Sequence, residues 1–126
     1  MLKKDIKKLD KEIKLRCLAN DGYKCVICGK GKEQVQLHHH HIVGRRHRSL
    51  RWVLENVVTL CASHHVMGVQ SAHEDPVWFM EEIRDIKGEK WYKELKILKE
   101  KVNKKSYEEN MEMIELSLGE IINKYK

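Results

Sequence analysis

The sequence predicts an α+β fold: a small two-stranded core with one helix before it and a helical extension after it. Three observations predict it. Leu2, Ile6, Leu9, Ile13, Cys17 and Leu18 recur at helical spacing near the N-terminus. Two short runs, residues 35–43 and the β-branched 57–60, read as strands joined by a loop. From residue 76 onward the apolar positions return to helical spacing.

The first helix should span residues 2–19, with Asn20-Asp21-Gly22 as its stop. Val35-Gln36-Leu37 opens a strand that continues through four consecutive histidines, His38 to His41, into Ile42-Val43. Residues 44–49 read as a basic loop, residues 52–54 are ambiguous, and residues 62–68 form a short helix carrying His64 and His65. Asp75 caps the next helix and Pro76 occupies its first position; it runs over 76–87 and Gly88 ends it. A further helix is expected over 89–104, with Trp91, Leu95, Leu98 and Val102 on one stripe. A last helix is expected over 106–125. Its Met111, Ile114, Leu118, Ile121 and Tyr125 read either as core packing of a helical hairpin or as a heptad seam for a homodimer. Two units follow: a core with its leading helix over 1–75, and an extension over 76–126 that packs on the core or mediates dimerisation.

The chain has 126 residues, 41% of them apolar, enough for a modest core that a metal staple would help. No segment has the length of a transmembrane span, and the N-terminus lacks the apolar run of a signal peptide. The expected location is therefore cytoplasmic. The net charge of +6 is uneven: residues 1–73 carry 14 Lys/Arg against 6 Asp/Glu, and residues 74–126 carry 11 against 13. Arg45, Arg46, Arg48 and Arg51 fall in a stretch, between Glu33 and Glu55, that has no acidic residue. Such a stretch suits a polyanion, or simply a solvated basic surface.

Four cysteines in a cytoplasmic chain argue for metal before disulfide. Cys25 and Cys28 form a C-x-x-C pair; Cys61 and His64 form a C-x-x-H pair, with 32 residues between the two pairs. Four such ligands complete the tetrahedral shell of a structural Zn²⁺ and leave no open position for catalysis. The other readings are a redox pair, for which a thioredoxin-like context is missing, and buried thiols without metal. Cys17 reads as a free thiol on the apolar face of the first helix.

All eight histidines lie between His38 and His73. A strand alternates its faces, so at most two of the four consecutive ones should serve one centre. The run His40-His41-Ile42-Val43, then Asn56 through Cys61, then His64-His65, resembles the motif of HNH endonucleases. That motif has a metal ligand, a catalytic His and a hydrophobic residue, then an Asn, then a final His nine positions on, the distance from Asn56 to His65. The resemblance covers about residues 16–75. Residues 41–45, 50–52 and 71–73 also look like phage recombination nucleases of the NinG type, which would place the chain in a bacterial host's cytoplasm.

The resemblance implies a ββα-metal, treble-clef-like core that hydrolyses DNA phosphodiester bonds. His41 would be the general base. His40 and His65 would hold one divalent cation, Mg²⁺ or Mn²⁺, and Asn56 would bond backbone across the loop and orient His41. Arg45, Arg46, Arg48 and Arg51 would grip phosphates. His64 stands where many relatives carry Cys. A register slipped by one would make His39 and His40 the ligand and base. The competing reading is a non-catalytic zinc module that binds nucleic acid. His73, eight residues past His65, reads as a helix cap or as a further ligand, and His47 as a DNA contact or a solvated side chain.

Overall fold

The computed structural model describes residues 1–101 and 104–124. Six helices surround one antiparallel hairpin: α1 (Lys3–Asn20), β1 (Leu37–His41), α2 (Arg48–Arg51), β2 (Val57–Cys61), α3 (Pro76–Lys87), α4 (Glu89–Glu100), α5 (Tyr107–Met113) and α6 (Leu118–Lys124). The α+β class holds, with helix dominating a two-stranded sheet. Among the described residues no helix is long and apolar enough to cross a membrane.

The hairpin pairs Leu37 with Cys61 through His41 with Val57. Every residue of β2 is buried, while β1 is half-buried along its length. The outer edge of β2 is closed by local groups: the Asp21 carboxylate accepts from the Thr59 N–H at 2.8 Å, and the Val26 N–H donates to the Thr59 carbonyl at 3.0 Å. These bonds satisfy an edge that would otherwise present free backbone groups. β1 is shorter than expected, although the Ala62 N–H still donates to the Gln36 carbonyl at 3.1 Å and the Ile42 N–H to the Asn56 carbonyl at 2.8 Å just beyond its ends.

Between the strands, Asn56 is completely buried. Its Oδ1 accepts from the Val43 N–H at 2.8 Å, and its Nδ2 donates to the carbonyls of Val43 and Leu50, both at 3.0 Å. One side chain thus closes the whole loop from β1 to β2. The expected loop over 44–49 is helical from Arg48 onward, as α2. Asn56→Ala strips the Val43 N–H and carbonyl of their partner and leaves the Leu50 carbonyl only its bond from the Val53 N–H, so it should cost on the order of 2–4 kcal/mol in a denaturant titration.

The core crosses the expected boundary near residue 75. Leu50, Val53, Val58 and Leu60 pack in one cluster with Phe79, Ile83, Trp91, Leu95, Leu98, Leu118 and Ile121. A second cluster joins Leu9, Ile13 and Cys17 of α1 to Trp52, Val57 and Ile114. Asp10 anchors this second cluster: it accepts from Arg51 at 2.7 and 3.1 Å, from the Trp52 indole at 2.8 Å, and from Arg45 at 3.2 Å. Burial would raise the Asp10 carboxyl, but the bonds from Arg51 and Trp52 and the charges of Arg51 and Arg45 hold it below its ordinary value.

The expected single helix over 106–125 is two helices. Ser117 starts α6 with its own reciprocal cap: its hydroxyl accepts from the Glu120 N–H at 3.2 Å, and the Glu120 carboxylate accepts from the Ser117 N–H at 3.2 Å. Glu55 reinforces the break by accepting from the Leu118 N–H at 2.6 Å. Ile114 therefore packs on α1, and Leu118 and Ile121 on the main core, so these seam residues serve the chain's own interior rather than a straight dimer stripe. Likewise α4 ends at Glu100, short of residue 104. The Val102 and Tyr125 positions lie outside the described residues.

Candidate metal centres and active site

The sequence Cys25-Val26-Ile27-Cys28-Gly29 forms a tight knuckle. The Gly29 N–H donates to the Cys25 carbonyl at 2.8 Å, and Gly29 has φ +75°, which an L side chain rarely adopts. The Cys25 N–H donates to the Lys30 carbonyl at 2.9 Å and closes the turn. Both thiols then face Cys61, at the end of β2, and His64, just beyond it. Cys28 Sγ lies 3.9 Å from Cys61 Sγ; His64 Nδ1 lies 3.8 Å from Cys25 Sγ and 3.3 Å from Cys61 Sγ. Sulfur and nitrogen ligands of one tetrahedral Zn²⁺ stand about 3.5–3.8 Å apart. Cys25, Cys28, Cys61 and His64 are thus close enough to hold a metal ion, and a three-sulfur, one-nitrogen donor set suits zinc. Burial pushes the Cys25 thiol up, but the backbone N–H groups of Cys28, Cys61 and Ile27 outweigh it and favour the thiolate. Burial and the neighbouring Cys25 push Cys61 the other way.

A π-helical turn over Ser63–Met67 follows, in place of the expected short α-helix. It closes with the Gly68 N–H donating to the Ser63 carbonyl at 2.8 Å. This wider turn sends the adjacent His64 and His65 to different centres. A Cβ on Gly68 would stand 2.7 Å from the Ser63 carbonyl oxygen, backbone that has little room to move. Gly68→Ala should therefore open the turn and weaken metal binding at both His64 and His65, read as faster zinc loss to a competing chelator than in the native chain.

His65 meets His40 and His73 in a second cluster whose ligand atoms all lie within 4.8 Å of one another. Alternation along β1 decides who joins: His38 and His40 face His65, while His39 and His41 pair on the other side with ring centroids 5.5 Å apart. His73 arrives because residues 72–73 dock on the π-turn, the Ala72 N–H donating to the His64 carbonyl at 2.8 Å and the His73 N–H to the His65 carbonyl at 3.1 Å. The Nε2 atoms of His65 and His73 are 3.1 Å apart, and adjacent nitrogen ligands of one ion at about 2.1 Å lie about 3.0–3.4 Å apart. His38 Nδ1 is 2.8 Å from His65 Nδ1. A contact that short needs one N–H and one lone pair. With the proton on His65 Nδ1, donated to His38, His65 Nε2 is free to ligate, so His38 orients a ligand without being one.

Burial, and then the positive potential of neighbouring His65 and His73, lowers His40 to about 3; burial, His73 and His38 lower His65 to about 4. Both imidazoles are therefore neutral at pH 7 and able to donate to a metal. His41 lies in the same open cleft of about 490 Å³ as His40, His65, His73 and Arg45. Its Nε2 is 2.9 Å from the Arg51 carbonyl. A carbonyl only accepts, so Nε2 carries the proton and Nδ1 is the basic atom of the ring. Burial lowers the His41 pKa, partly offset by that bond to Arg51.

Cys25, Cys28, Cys61 and His64 thus come together, as do His40 and His65, with His41 in the same cleft. Arg45, with 60% of its side chain exposed, lines that cleft; Arg46 and Arg48 are exposed on the neighbouring clefts. Arg51 does not join them. Its side chain is only 14% exposed and is engaged by Asp10, so its position in the sequence misled. Sequence reasoning left His73 undecided, and it missed the part of His38. The spacing from His65 to His73 was a visible signal, but the docking that uses it was not. His47 lines the two clefts beside the His cluster rather than the cluster itself. Comparison with protein-family models, curated proteins and solved structures returned no match.

Proposed function

We propose that the chain is a metal-dependent DNA endonuclease of the HNH type, with a structural zinc in a treble-clef-like ββα-metal core. The observation that carries this reading is the shared cleft: a histidine with its basic Nδ1 left over, beside three imidazoles that can hold one cation. In this reading His41 Nδ1 takes a proton from water. The water oxygen bonds to phosphorus and the bond to the 3′ oxygen breaks. An ion held by His40, His65 and His73 would neutralise charge on the phosphate and the leaving oxygen. Arg45 engages the phosphate, and Asn56 keeps the loop that carries Arg51's carbonyl, and through it His41's ring, in place. Three imidazoles favour Mn²⁺ and its first-row neighbours over Mg²⁺, which prefers oxygen. The strand alternation favours His40 as the ligand and His41 as the base over the register slipped by one. The whole would work as a DNA-binding cytoplasmic hydrolase.

The test incubates zinc-loaded protein with supercoiled, linear, nicked and branched DNA, in Mn²⁺ and in Mg²⁺. The reading predicts cutting that is faster in Mn²⁺ and stops with chelator. DNA retarded in a gel but left intact under every metal condition would instead make the chain a zinc-ordered binding module.

A further inference from the structure

The cleft at the His cluster does not end there. Ile42 and Gly44 also line a second cleft of about 330 Å³, and Arg46, His47 and Lys99 pass from that one into a third of about 520 Å³. The three form one furrow that leaves the His cluster, crosses the loop after β1 and runs along α4 to the segment following it. Among the described residues, no Asp or Glu lines any of the three. The cations do: Arg45 at the His end, Arg46, Lys96 and Lys99 in the middle, Arg48 and Lys104 at the far end.

The placement of these charges follows from the α4 repeat. Trp91, Leu95 and Leu98 take the core-facing stripe, which leaves Lys96 and Lys99, one turn apart, exposed on the side facing the loop. Like charges at that spacing repel by a few tenths of a kcal/mol. Across the loop stand Arg46 and Arg48, both exposed, which adds two further cations to the same side, while Lys96 lies 4.8 Å from the centroid of the Tyr92 ring.

We infer that this furrow is the track of the DNA strand, with the backbone phosphates on one side of the scissile bond held by Arg46, Lys96, Lys99 and Lys104. The inference rests on the nuclease reading for its choice of polyanion, because a phosphodiester placed at His41 must continue somewhere, and the furrow is continuous with that point. It assigns the helical extension a part in binding substrate. It also makes the footprint lopsided, longer on the α4 side of the cut.

The test measures binding of a labelled DNA duplex by zinc-loaded protein without added Mn²⁺, over a series of salt concentrations. Each phosphate contact contributes about 0.9 to the slope of log affinity against log salt. The double variant Lys96→Gln/Lys99→Gln should flatten the slope by about 1.8. The equally neutralised Lys24→Gln/Lys30→Gln, on the knuckle and outside the three clefts, should leave the slope near that of the native chain. Arg46→Gln repeats the test from the loop, should the helix variant fold poorly, and should flatten it by about 0.9. Equal slopes for the furrow and knuckle variants would overturn the furrow even if the protein cuts DNA. Flattened slopes in a protein that cuts under no metal would keep the furrow and overturn the nuclease.

Discussion

Cys28→Ser should cost the chain most of its stability and its zinc together. Apparent binding free energies at small structural zinc sites are about 10–16 kcal/mol, as large as the whole stability of a typical domain, about 5–15 kcal/mol. Cys28 is the right position for the test because its side chain is exposed, so little packing is lost with the sulfur. What is lost is the tie between the knuckle, the end of β2 and the π-turn. Without it, His65 keeps only its hydrogen-bonding contacts with His38 and His73 to hold it beside β1. Zinc content and thermal unfolding should fall together, by tens of degrees for the second. The main cluster would loosen as well, since Cys25 and Cys61 are both members of it. A variant that unfolds at the native temperature without zinc would show that the four ligands are simply buried near one another.

His41→Ala should lower cleavage by about 10²–10⁴-fold, the range for loss of a general base, and leave fold and zinc unchanged. The ring is half-buried and makes one side-chain hydrogen bond, to the Arg51 carbonyl, so its removal disturbs little else. If the chain cuts DNA as proposed, the pH profile of the native protein should carry a matching signature. A base works when deprotonated, and burial lowers the His41 pKa. The acid limb of the rate should therefore lie below the ordinary histidine value of about 6.5, with a plateau already reached at neutral pH. A cation beside the ring moves the limb in the same direction. His41→Ala should remove the limb along with the rate.

What could be read in the sequence was whatever depends on short spacing. Cys25 with Cys28, and Cys61 with His64, are each set by one turn of backbone, and the pairs meet where the Val26 N–H docks the knuckle on the Thr59 carbonyl of β2. Helix α3 was equally plain, because Asp75, Pro76 and Gly88 mark its ends with local chemistry: the Asp75 carboxylate does accept from the Trp78 N–H, and Gly88 has φ +95°. The alternation of β1 correctly limited how many of the four histidines could share one centre. The rest depends on contacts across the chain. Arg51 looked like its neighbours until Asp10, on α1, placed a carboxylate beside it. His73 reached the cluster through backbone bonds to a turn whose π geometry no periodicity announces. The break before α6 was legible in principle, since Ser117 and Glu120 form a capping pattern, but the longer apolar repeat masked it.

In the proposed reading two metal centres, one closed by sulfur and one open among histidines, sit on either side of the same turn. Manganese binding followed by electron paramagnetic resonance tests it most directly, with zinc measured in the same samples. Zinc-loaded native protein should bind one Mn²⁺ per chain, and His65→Ala should bind none while keeping its zinc. A native chain that takes up no Mn²⁺, or a His65→Ala chain that binds it undiminished, would rule out the open centre.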